Sequence, residues 1–170
     1  IKDIPDNELN TTYFGNIYHS GFKYFFKNIR DVKRYINSLQ FNYEIVKEEV
    51  NVIDFIAITG IQVFFPEVYS EIRDNSEIFT GIYVNYEKTD IVKEQYKKRW
   101  DQIINNVKKI QPEIFLNFLK RLFPKLETFY SNIYYSNEDL HNWRRDCRIC
   151  SPDFFERYFK LSISSGEISQ

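Results

Sequence analysis

From Val92 to Ile110 the apolar residues Val92, Tyr96, Trp100, Ile103, Val107 and Ile110 recur at steps of three and four. That spacing lines one face of an α-helix and rules out a strand, whose faces repeat every second residue. Val32, Ile36, Leu39, Tyr43 and Val46 repeat it within a helix predicted over 29–49, and Phe115, Phe118, Leu119 and Leu122 lie between Pro112 and Pro124. Each proline opens or closes a helix, because it has a fixed φ and no N–H to donate. A further helix is expected from Asn51, an N-cap followed by Asp54 in a capping-box-like arrangement, to Phe65, with Pro66 kinking it or opening another turn through Arg73. Ser136 with Asp139, and Ser151 before Pro152, mark two later helix starts. Residues 10–27 read as helical, although Gly15 and Gly21 weaken that stretch.

Strand-like alternation is confined to GIYVNY, inside a segment 75–89 expected to be a loop. The expected fold is therefore all-α, an irregular multi-helix bundle. Its organisation is read as a helical subdomain over 1–74, a connection over 75–90 and a helical extension over 91–170, which could equally pack as one domain.

A chain of 170 residues with 43 % hydrophobic content can bury a substantial core. Its net charge of −1 gives no global field for nucleic acid or an anionic membrane. The charge is uneven, however: Lys97 to Lys125 holds eight Lys/Arg and two Asp/Glu, net +6, leaving 15 Lys/Arg and 22 Asp/Glu, net −7, elsewhere. The most apolar window, Val52 to Phe65, is interrupted by Asp54, Thr59, Gly60 and Gln62 and is too short for a membrane span. The chain begins at Ile1 and contains no methionine, so we expect a piece of a longer protein, and a cytoplasmic one.

Most catalytic patterns are missing. The five glycines form neither GxxxxGK[ST] nor GxGxxG, and neither GxSxG nor HExxH occurs. Cys147 and Cys150 make a CxxC with His141 six residues upstream; with His19 they are the only His and Cys side chains available for a zinc site. A lone CxxC does not specify metal, and two buried or half-buried thiols are the simpler reading. Lys97, Lys98, Arg99, Lys108, Lys109, Lys120, Arg121 and Lys125, with Arg144, Arg145 and Arg148 beyond them, could contact phosphates if they share a face; solvated helix faces explain the same pattern. The tyrosines Tyr13, Tyr24, Tyr134 and Tyr135 offer a third possibility, a nucleotide-independent docking face.

The start of the 29–49 helix is unusual. A helix amino end carries partial positive charge, which suits Asp31 and opposes Arg30, Lys33 and Arg34. An arginine there can pair with a local carboxylate, lie solvated over the core, or meet a phosphate brought from elsewhere.

Three blocks bear on this choice: RDVKRYINSL (30–39), the run from Glu48 to Gly81 containing NVIDFIAITGIQVFFPEVYSEI, and RRDCRICSPDFFERYFKLSISSGEIS (144–169). Together they resemble the C-terminal part of the KAP family of P-loop NTPases, nucleotide switches that include bacterial phage-exclusion proteins and animal membrane scaffold proteins. The resemblance implies that Arg30 is a sensor-like arginine reaching a nucleotide phosphate from a helical lid, with Lys33 and Arg34 beside it. It also implies that ATP and Mg²⁺ are held by an N-terminal core outside this stretch, sometimes with transmembrane helices in the parent. Homo-oligomer neighbours or a signalling partner would contact the later helices. Two positions depart from the family: Asn28-Ile29 replaces a common Thr-Pro, and Gln62 stands where arginine is frequent. Without a phosphate loop or a magnesium-binding carboxylate, the stretch implies a lid and extension, and no complete enzyme.

Overall fold

The computed structural model describes residues 10–82 and 89–160. Every regular element among them is helical: α1 Thr11–Ser20, a 3₁₀ turn Phe22–Phe25, α2 Ile29–Val46, α3 Val52–Phe64, α4 Pro66–Asp74, α5 Ser76–Phe79, α6 Thr89–Asn105, α7 Pro112–Leu122, α8 Pro124–Glu127, α9 Asn137–Arg145 and a closing 3₁₀ turn Phe155–Phe159. The chain is an all-α, irregular multi-helix bundle.

Local chemistry explains most boundaries. Asn10, Asn28 and Asn51 each accept a backbone N–H from the first turn of α1, α2 and α3. Pro66, Pro112 and Pro124 occupy first-turn positions in α4, α7 and α8, where a missing N–H costs nothing. At α9 the Ser136 hydroxyl accepts from Asp139 N, and the Asp139 carboxylate accepts from Ser136 N at 2.7 Å, a complete capping box.

Two glycines act through close approach. A Cβ on Gly21 would lie 2.7 Å from Phe118 Cβ and 3.1 Å from the Ile114 carbonyl oxygen, so α1 ends hard against α7. A Cβ on Gly60 would lie 2.7 Å from Phe22 and 3.1 Å from Phe25, so the 3₁₀ turn beds directly onto the α3 backbone. A helix-interior glycine costs about 1 kcal/mol relative to alanine, and here it admits two aromatic rings to the core.

Phe25 is the hub of that core, with ring centroids 4.9 Å from Phe65 and 5.0 Å from Phe118, and Phe65 continues to Phe115 at 4.6 Å. On the other side Phe79 packs edge-on to Trp100 at 4.8 Å and against Phe123 at 4.9 Å. Buried side chains from 10–82 and from 89–160 belong to one hydrophobic cluster. Trp100, read as core from its periodicity, is fully buried.

Several expectations are corrected. The 10–27 stretch is split at Gly21 into α1 and a 3₁₀ turn, and α6 stops at Asn105 instead of running to Ile110. The apolar face of α2 is rotated: Tyr35, Leu39 and Val46 are buried, while Ile36 is 42 % exposed. Tyr35 wins the inward position because its ring packs against Phe22, Phe26 and Phe64 while its hydroxyl donates to the Ile56 carbonyl at 2.8 Å. Within the expected loop, α5 buries Ile78 and Phe79 completely. The buried Lys125 ammonium makes this possible by donating to the carbonyls of Glu77 at 2.6 Å and Thr80 at 3.0 Å, and burial lowers its pKa. Most of GIYVNY lies outside the described residues. Ser151-Pro152 opens a series of turns and the final 3₁₀ segment in place of an α-helix.

Candidate functional site

The amino end of α2 is built around the Asp31 carboxylate. Asn28 Oδ1 accepts from Asp31 N at 3.0 Å, and Asp31 in turn accepts from Lys27 N at 2.9 Å. Lys109 Nζ reaches Asp31 at 3.3 Å from beyond α6. The Lys27 backbone hydrogen bond, reinforced by Lys109, holds the Asp31 carboxyl below the usual carboxylate range. Burial lowers the pKa of Lys109 despite that pairing.

Arg34 is also committed internally. Its guanidinium donates to the Val63 carbonyl at 3.1 Å and lies 5.1 Å from the Phe64 ring centroid, with Lys109 Nζ 3.8 Å from the same ring. Val63 is in the last turn of α3, where carbonyls lack helical partners and a cation is favoured. Arg34 therefore caps α3. Arg30 and Lys33 differ: both are exposed, and among the described residues neither forms an ion pair or a side-chain hydrogen bond. A groove of about 610 Å³ adjoins this corner, lined by Phe64, Glu67, Glu71, Ile103, Val107 and Lys109 among others.

A second charged cluster was missed in the sequence. Asp54, expected to serve the start of α3, is 0 % exposed and turned into the protein. It accepts from the Tyr13 hydroxyl at 2.5 Å, from Arg148 Nε at 2.7 Å and from Ile149 N at 2.8 Å. Arg148 stacks on Tyr13, 4.1 Å from the ring centroid, and donates to its hydroxyl at 2.5 Å. Burial, with the Asp54 charge beside it, pushes the Tyr13 hydroxyl pKa well up. With three donors on one carboxylate and a paired guanidinium, the cluster fastens α1, α3 and the segment after α9 together. The Asp54 carboxylate is fully buried and held by these three donors, which ties it to the architecture. An available signal was Asp54 itself, a charge in the most apolar window of the chain, since a buried carboxylate needs a partner.

The CxxC follows this fastener. Cys147 adopts a left-handed backbone, φ 50°, held by its carbonyl accepting from the Tyr158 hydroxyl at 2.6 Å and from Asn51 N at 3.2 Å. Cys150 is fully buried and its thiol is pushed up to about 12 by burial. His141 is exposed, and among the described residues no three His, Cys, Asp or Glu side chains come together to hold a metal. The sequence candidates His19, His141, Cys147 and Cys150 are thus not assembled into a zinc site. Ser151 Oγ is buried and has no hydrogen-bond partner among the described residues.

The basic stretches are dispersed. Arg99 pairs with Glu71 at 2.7 Å, Arg144 with Asp153 at 3.4 Å and Arg145 with Asp146 at 3.0 Å. Lys109, Lys125 and Arg148 are engaged as described above, and Lys98, Lys108 and Arg121 are exposed. Lys97 and Lys120, from α6 and α7, converge on the Tyr130 ring at 5.8 and 4.6 Å, and Lys93 lies 5.9 Å from the Tyr134 ring. Of the four tyrosines singled out as a docking face, Tyr13 is in the fastener and Tyr135 packs on Trp143 at 5.3 Å, leaving Tyr24 and Tyr134 exposed.

No family model, no curated protein and no solved structure matches this chain. Among the described residues no helix is long and apolar enough to cross a membrane.

Proposed function

We propose that the chain is the lid-like C-terminal helical region of a KAP-like P-loop NTPase, in which Arg30 meets a nucleotide phosphate held by a core outside this stretch. One observation carries the reading. Around the start of α2, Asp31, Arg34 and Lys109 are all satisfied from within, while Arg30 and Lys33 stand exposed without a counter-charge among the described residues. A planar, permanently charged guanidinium suits a terminal phosphate, and Lys33 adds field beside it. Arg34 acts as a positioning residue, because it ties α2 to the end of α3.

In this reading ATP and Mg²⁺ belong to the cytoplasmic core of the parent. Phosphate contact at Arg30 closes the lid and passes the nucleotide state to the later helices, where an oligomer neighbour or signalling partner docks. The test is ATP turnover by the longer protein. Arg30→Ala lowers turnover at least about tenfold, as loss of a phosphate-stabilising arginine does, and leaves the melting temperature of the variant unchanged. Arg30→Lys restores only part of the activity. Wild-type turnover in folded Arg30→Ala, or a longer protein that binds no nucleotide, overturns the proposal.

A further inference from the structure

Lys97 and Lys120 belong to different helices, yet both ammonium groups come to one tyrosine ring, Tyr130. Like charges drawn together this way repel, and the ring quadrupole offsets that only in part. Neither lysine has a carboxylate partner among the described residues, and the same is true of Lys93 at Tyr134 and of the exposed Arg121 beside Lys120. Two carboxylates lie nearby and hold tyrosines: Asp101 accepts the Tyr130 hydroxyl at 3.0 Å and Glu127 accepts the Tyr135 hydroxyl at 3.1 Å. Both keep their charge, but among the described residues neither forms an ion pair with these cations. The Tyr134 ring is 69 % exposed. From Lys120 the surface runs into a polar cavity of about 450 Å³ lined also by His19, Tyr24, Arg121 and the acidic Glu127.

From this juxtaposition we infer that the α6–α7 face binds single-stranded nucleic acid, with phosphates bridging Lys97 and Lys120 and a base stacked on Tyr134. An acidic or phosphorylated peptide would satisfy the lysines but has no need of an open ring beside them. A duplex keeps its bases stacked inward, away from Tyr134. Cations alternating with accessible aromatic faces are the features that single strands use. The inference does not depend on Arg30 or on nucleotide hydrolysis.

The test is fluorescence anisotropy with labelled thymidine and uridine oligonucleotides of about fifteen residues, long enough for one binding platform. Both bind, or one does, with affinity that falls steeply between about 50 and 200 mM salt. Lys97→Gln/Lys120→Gln weakens binding about tenfold and lowers the slope of log affinity against log salt by roughly 1.4, two single-strand phosphate contacts. Tyr134→Ala weakens it about fivefold or more without changing that slope. Arg30→Ala binds as wild type, which separates this face from the lid site. Circular dichroism melts confirm that the variants fold. Absent binding at about 50 mM salt, equal binding by the double variant, or tighter binding of a phosphopeptide or a duplex of equal length overturns the inference.

Discussion

Two charge clusters in this chain use similar residues to opposite ends. In the Tyr13–Asp54–Arg148 cluster every group is spent inside: the carboxylate is fully covered, and the Arg148 side chain is only 13 % exposed. At the start of α2 the partners satisfy one another around Asp31 and leave Arg30 and Lys33 over. A buried charge that loses its partner is a severe liability, so the first cluster is bound to the architecture. An exposed charge has little effect on folding, so the second can be kept for something outside the chain.

That contrast can be broken experimentally. Asp54→Ala leaves the Arg148 guanidinium buried without its counter-ion and should cost about 3–5 kcal/mol, read as a lowered urea midpoint. Joint replacement of Asp54 and Arg148 by leucine and methionine should recover much of that loss. A cost below about 1 kcal/mol for the single variant would mean that water reaches the cluster and the fastener reading is wrong. Ser136→Ala, which removes one arm of the α9 capping box, should cost about 1 kcal/mol in the same assay.

Acid sharpens the comparison further. Asp31 and Asp139 are held below their ordinary values chiefly by backbone hydrogen bonds, from Lys27 and from Ser136. Their folded values lie below their unfolded ones. The stability they contribute is therefore present above the unfolded carboxylate range, near pH 4, and is lost as pH falls through the folded values. The melting temperature should drop on that acid limb, and Asp31→Asn/Asp139→Asn should flatten it. Smallest of all, Arg30→Ala should move stability by no more than about 0.5 kcal/mol, and a larger loss would show that Arg30 serves the fold.

Much of the fold was legible because its signals are local. Pro112 placed the start of α7 to the residue and Pro124 marked its end to within two residues, and Asn51 and Ser136 announced the starts of α3 and α9. The face of α2 was less legible, since Tyr35 and Ile36 are adjacent and apolar, and periodicity cannot rank them. The choice was made by rings from other elements and by the Ile56 carbonyl. Asp54 illustrates a harder failure. The rule that places an acid in the first turn of a helix is satisfied at that position, but the deciding partners sit 94 and 95 residues away. Of the predicted basic residues around Arg30, the sequence could not say that Arg34 would be drawn away to the end of α3. Likewise, nothing in the spacing of Lys97, Lys120 and Tyr130 indicates that they meet.

The reach of the fastener has a consequence for biosynthesis. A ribosome delivers Tyr13 and Asp54 early, but Arg148 arrives 135 positions after Tyr13. Until then the nascent chain carries a carboxylate destined for burial with no counter-ion to accompany it, and α3 has reason to stay loosely docked. A premature stop anywhere before residue 148 would yield helices that form but do not close up, a product suited to chaperones and proteases.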